Sequence, residues 1–66
     1  MEIVLNGNSQ QVEDALNIST LIKQLNLENK KLAVEVNLEI VPRSQFDSHI
    51  LSAGDRVEIV RAIGGG

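Results

Sequence analysis

Asn17-Ile18-Ser19-Thr20-Leu21-Ile22-Lys23-Gln24-Leu25 is the stretch that decides the fold. Ile18, Leu21, Ile22 and Leu25 fall at i, i+3, i+4 and i+7, the apolar stripe of a helix that lies on a core. Asn17 precedes the stripe, and its side-chain oxygen can accept a free first-turn N–H, so it is the expected N-cap. The spacing predicts one main helix, about Ile18 to Leu25.

On both sides of this segment the period changes from helical to two. Upstream, Glu2 to Leu5 alternates, with Ile3 and Leu5 on one face, and reads as a strand. Asn6-Gly7 comes next, two residues that tolerate positive φ, which is a strong short-range hairpin signal. A second strand is expected around Gln10 to Val12. Downstream, Leu27 is expected to fold back under the helix end, and Glu28-Asn29-Lys30-Lys31 reads as a solvated connection. Leu32, Val34 and Val36 then share a face of a third strand. Asn37-Leu38-Glu39 reads as a turn and Ile40-Val41 as a short strand that Pro42, lacking an N–H, must end or confine to an edge. Arg43 to Leu51 has no clear period and is expected to lie irregularly over the core, with one helical turn at most. Ala53-Gly54-Asp55 is a turn, and Arg56 to Ile63 is the longest strand candidate.

A hairpin, a crossing helix and a further set of strands make an α+β fold of the ubiquitin-like β-grasp kind. The expectation is a mixed sheet of four or five strands packed on one helix, with the first and last strands parallel at its centre. Ile3, Leu5, Leu21, Leu25, Val34, Val57 and Ile59 should provide most of the core. Residues 1–63 form the domain in this reading, and 64–66 a flexible glycine tail.

With 66 residues the chain is one domain, and a domain of that size buries only about 60% of its unfolded surface. There is no room for a deep substrate cavity. No cysteine is present, so there is no disulfide, thiolate nucleophile or thiolate metal ligand. The net charge of −3 and the single aromatic residue, Phe46, argue against nucleic-acid binding, which calls for a basic stripe and stacking rings. The N-terminus lacks the features of a signal peptide, and no stretch approaches the ~20 apolar residues of a membrane span. A soluble cytoplasmic protein, monomeric when free, is expected.

Enzyme constellations are missing. His49 has no plausible partner and reads as an ordinary surface residue. Glu13-Asp14 and Glu35 with Glu39 look like solvated strand and turn positions. What remains is the chain end, where a strand runs into Gly64-Gly65-Gly66. Three residues without side chains make a thin peptide free of the steric limits a Cβ imposes. Such a tail can thread a narrow channel and deliver a carboxylate to another protein's active site. The alternative is a frayed glycine-rich terminus with no role.

Several stretches together carry a resemblance. They are the opening strand with its Asn-Gly turn, the helix segment, Ala33-Val34-Glu35-Val36-Asn37-Leu38-Glu39-Ile40-Val41-Pro42-Arg43-Ser44, and Leu51-Ser52-Ala53-Gly54-Asp55-Arg56-Val57-Glu58-Ile59-Val60 closing in Ile63-Gly64-Gly65-Gly66. Across nearly its whole length the chain resembles the bacterial sulfur-carrier family of thiamine biosynthesis. Leu38 departs from the pattern, standing where that family leads one to expect glycine.

The resemblance implies a carrier rather than an enzyme. An ATP-dependent adenylating enzyme would activate the Gly66 carboxylate, a persulfide sulfur donor would convert it to a thiocarboxylate, and thiazole synthase would receive the sulfur. The chain itself would bind no cofactor and no metal; ATP belongs to the partner. Docking is expected on the outward face of the last strand through Val60, with Ala62 and Ile63 leading into the tail. Three alternatives are the related carrier of molybdopterin synthesis, a ubiquitin-like binding module whose glycines do no chemistry, and a tag-like modifier conjugated to lysine.

Overall fold

The computed structural model of the protein describes residues 1–61. Its elements are β1 (Glu2–Leu5), β2 (Asn8–Gln11), α1 (Ile18–Gln24), β3 (Leu32–Val36), β4 (Glu39–Val41), a 3-10 turn (Arg43–Gln45) and β5 (Arg56–Arg61). The five strands form one sheet in the order β2-β1-β5-β3-β4. β1 and β5 are parallel at its centre, and the other neighbours are antiparallel. This is the β-grasp arrangement expected from the sequence. The second strand begins earlier than Gln10, at Asn8, because Asn6 and Gly7 alone complete the turn.

α1 starts where its sequence dictates: Asn17 Oδ1 accepts the Thr20 N–H at 2.7 Å. It stops one residue short of Leu25. Asn26 takes a left-handed backbone (φ 60), the Asn26 N–H reaches Lys23 C=O, and the Leu27 N–H reaches back to Ile22 C=O, both at 3.0 Å. This is a Schellman ending, with asparagine in the place glycine usually takes. The reversal corrects the expected core. Leu25 is an exposed residue, and Leu27 packs against the core in its stead. Leu5 is only half-buried.

The helix-facing side of the sheet contributes Ile3, Val34, Val36, Val41, Val57 and Ile59, which close on Ile18, Leu21 and Ile22. Leu16, Phe46 and Leu51 complete the core from irregular segments. The Leu51 N–H bonds Leu16 C=O at 2.8 Å, and the Ser19 N–H bonds Phe46 C=O at 3.1 Å. These contacts pin the 43–51 loop across the start of α1.

Candidate functional site

β5 is the last strand among the described residues. It is bonded to β1 on one side and β3 on the other, so the centre of the sheet holds the chain up to its last described residue, Arg61. Val57 and Ile59 point into the core, and Glu58 and Val60 point to the face that α1 leaves open.

Register builds that open face row by row, since residues directly opposite in an antiparallel pair share a face. Val60 stands opposite Ala33, and Glu58 stands opposite Glu35, which in turn faces Ile40. Val60 is 61% exposed and Ile40 73% exposed. The face is therefore two exposed apolar groups on either side of a pair of adjacent carboxylates. Like charges directly opposite are unfavourable in the free molecule, and a cationic group of a partner set between them would remove that repulsion.

Val4, Gly7, Leu38, Arg56, Val57 and Glu58 line a shallow depression of about 150 Å³. Small-molecule sites usually offer about 300–1,000 Å³, so this hollow is too small to be a substrate cavity. Leu38, 87% exposed, overhangs it.

Of the residues singled out in the sequence for the site, the structure describes one side chain, Val60, and puts it on the open face. Ala62, Ile63, Gly64, Gly65 and Gly66 lie outside the described residues, as does the expected mobility of the tail. His49 is half-buried, and its backbone ties the loop to α1: its C=O accepts the Ile18 N–H at 3.2 Å. Glu35 pairs in space with Glu58 rather than Glu39. Glu13 accepts from Gln24 Nε2 at 2.7 Å, and Asp14 lies 3.2 Å from the Met1 amine. Ile40 and Leu38 escaped the sequence reading as surface groups, because their neighbours are set by register. Among the described residues no cluster of His, Asp or Glu could hold a metal ion, and no helix is long and apolar enough to cross a membrane.

Known proteins share this outline. The sequence profile of the ThiS family matches residues 3–66. The chain is 32% identical to the sulfur carrier protein ThiS of Escherichia coli over the full length of both. It is 39% identical to a thiazole synthase of Paramagnetospirillum magneticum, but spans only 20% of that protein. The crystal structure of the thiamine biosynthesis protein ThiS of Geobacter metallireducens superposes with a TM-score of 0.87 at 32% identity, all of each chain being covered.

Proposed function

The chain belongs to the ThiS family of sulfur carriers in thiamine biosynthesis, and from that membership we propose that its working group is the carboxylate of Gly66. The reach of the family match supports this above all, since it runs through the three glycines to the last residue.

A carboxylate is a poor electrophile, because its charge repels nucleophiles and oxide is a poor leaving group. An adenylating enzyme removes both obstacles. The Gly66 carboxylate attacks the α-phosphorus of ATP, pyrophosphate leaves, and an acyl-adenylate forms. The terminal sulfur of a donor's persulfide then attacks the carbonyl carbon and AMP departs. A thiol cleaves the resulting S–S bond and leaves the thiocarboxylate. The chain supplies only the carboxylate and a tail thin enough to reach the partner's site, so it needs no catalytic side chain. It works as a monomer in the cytoplasm.

Thiazole synthase is the acceptor in this reading. The support is that a segment of one thiazole synthase aligns with this entire chain, so a carrier-like segment and a synthase share one polypeptide in that protein. Val60, with Ala62 and Ile63, forms the docking contact next to the tail.

The test is the intact mass of the chain after incubation with ATP, the adenylating enzyme and a sulfur donor. The normal chain becomes heavier by the difference between sulfur and oxygen. Adding one residue after Gly66, or deleting Gly66, shifts the carboxylate by up to ~3.6 Å. A misplacement of about 1 Å at a reacting centre can cost roughly a hundredfold in rate, so both variants should fail to gain sulfur. Equal gain by the shortened or lengthened chain would overturn the requirement for Gly66, and no gain by any of the chains would favour the binding-module reading.

A further inference from the structure

β5 is a central strand for only part of its length. Along a strand, backbone N–H and C=O groups turn alternately to one neighbour and the other. On β5 the even-numbered residues face β3: Arg56 C=O accepts from Asn37 N–H at 2.8 Å, and Glu58 and Val60 continue opposite Glu35 and Ala33. The odd-numbered residues face β1: Asp55 C=O accepts from Val4 N–H and Val57 C=O from Asn6 N–H, both at 2.9 Å.

At Asn6 the chain turns away, with φ 49, and the β1–β5 pairing ends at Leu5 opposite Val57. The next donor on that side, the Ile59 N–H, meets a side chain instead: it donates to Asn6 Oδ1 at 2.8 Å. Beyond it the β1–β5 ladder has ended at Leu5 opposite Val57, and no loop backbone or side chain among the described residues bonds the Ile59 C=O or the Arg61 N–H. Among the described residues, the end of β5 is thus paired to β3 on one side and has no strand beside it on the other.

We propose that this open edge, Ile59 to Arg61 on the β1 side, is where an extended segment of the adenylating partner adds to the sheet. The proposal rests on the Gly66 reading above. Five residue steps separate Arg61 from Gly66, and each spans at most ~3.6 Å, so the carboxylate lies within roughly 18 Å of Arg61. A partner that takes the carboxylate into its active site must therefore run alongside the end of β5. The β3 side is occupied, which leaves the β1 side. Strand addition also suits the glycines beyond β5, because main-chain hydrogen bonds supply the affinity in that mode. A glycine tail offers main chain and nothing else. Val60, beside the edge on the open face, provides the side-chain contact.

Proline tests the edge, because it has no N–H and its ring fills the space where that N–H pointed. The chain carrying Arg61→Pro is compared with one carrying Arg61→Ala, which removes the same charge but keeps the N–H. The readout is kcat/KM for ATP-dependent adenylation, with the carrier as the varied substrate. Arg61→Pro should fall about tenfold or more below Arg61→Ala, the effect of losing one main-chain bond together with the room for its partner, at the same thermal midpoint. If the proline lowers the midpoint, a synthetic full chain with an N-methyl group on the Arg61 nitrogen replaces it, and the same fall is expected against the unmodified synthetic chain. Equal kcat/KM for the blocked chain and its reference overturns the edge proposal. If the unmodified chain is not adenylated at all, it is the Gly66 reading that fails.

Discussion

The turns of the two hairpins that flank β5 are built alike and differ at their second residue. Each has a two-residue turn with both residues at positive φ: Asn6 (49) and Gly7 (86) join β1 to β2, and Asn37 (52) and Leu38 (72) join β3 to β4. In each, the asparagine also reaches sideways to β5. Asn6 Oδ1 takes the Ile59 N–H, and Asn37 Oδ1 takes the Arg56 N–H at 3.0 Å while its Nδ2 donates to Asp55 at 3.1 Å. The second positions part company. Gly7 adopts its conformation freely. Leu38 holds a left-handed backbone that costs an L-residue about 1–2 kcal/mol, and its side chain is among the most exposed apolar groups described. The comparison teaches that the first turn residue is there to hold β5, and the second only to permit the turn. A leucine at the second position costs stability in the free molecule and adds an apolar group to the surface.

Asn6→Ala should show the largest effect. Asn6→Ala leaves the part-buried Ile59 N–H unpaired and should lower stability by roughly 1–3 kcal/mol. Asn37→Ala frees an exposed N–H that water can satisfy, and should cost less, about 0.5–1.5 kcal/mol. Denaturant titration measures both, and equal losses would break the distinction between the two sites. Gly7→Leu, which makes the first turn like the second, should fall between the two asparagine losses. A Cβ at Gly7 would meet nothing within 4 Å, so the loss is a backbone effect of about 1–2 kcal/mol. No loss would mean that left-handed strain is negligible here. The smallest effect is a gain. Leu38→Gly should raise stability by under about 1 kcal/mol, since relief of strain is partly offset by the entropy of an added glycine. A lower thermal midpoint would mean that the exposed leucine contributes packing of its own.

The same contrast explains what was legible in the sequence. Asn6-Gly7 announces its turn because both residues favour positive φ. Asn37-Leu38 half-hides its own, and the expected turn ran on through Glu39, which in fact begins β4. The Ile18 stripe pointed to the helix and its Asn17 cap. Leu25 continued the period, but the reversal at Asn26 turned it outward. Leu16, Phe46 and Leu51 were not in the expected core because they enter it from segments with no period to read. For the candidate site, the glycines and the family resemblance pointed to the tail, and alternation put Val60 outward. The Glu35–Glu58 pair and the open end of β5 depend on register between strands far apart in the chain, which no local pattern carries.

Among the described strands, β5 alone joins the two halves of the sheet, β2-β1 and β3-β4. Asn6 and Ile59, the pair that closes the junction, lie 53 positions apart. Such non-local pairings form slowly, because the chain loses loop entropy before the contacts compensate. Until the last strand is made, a growing chain can hold only two separate hairpins and a helix, each marginal alone. The residues that join the halves are also the ones that lead to Gly66. In the proposed function, assembly of the sheet and delivery of the terminus depend on the same 6 residues, so a chain damaged in β5 would lose its frame together with its reach.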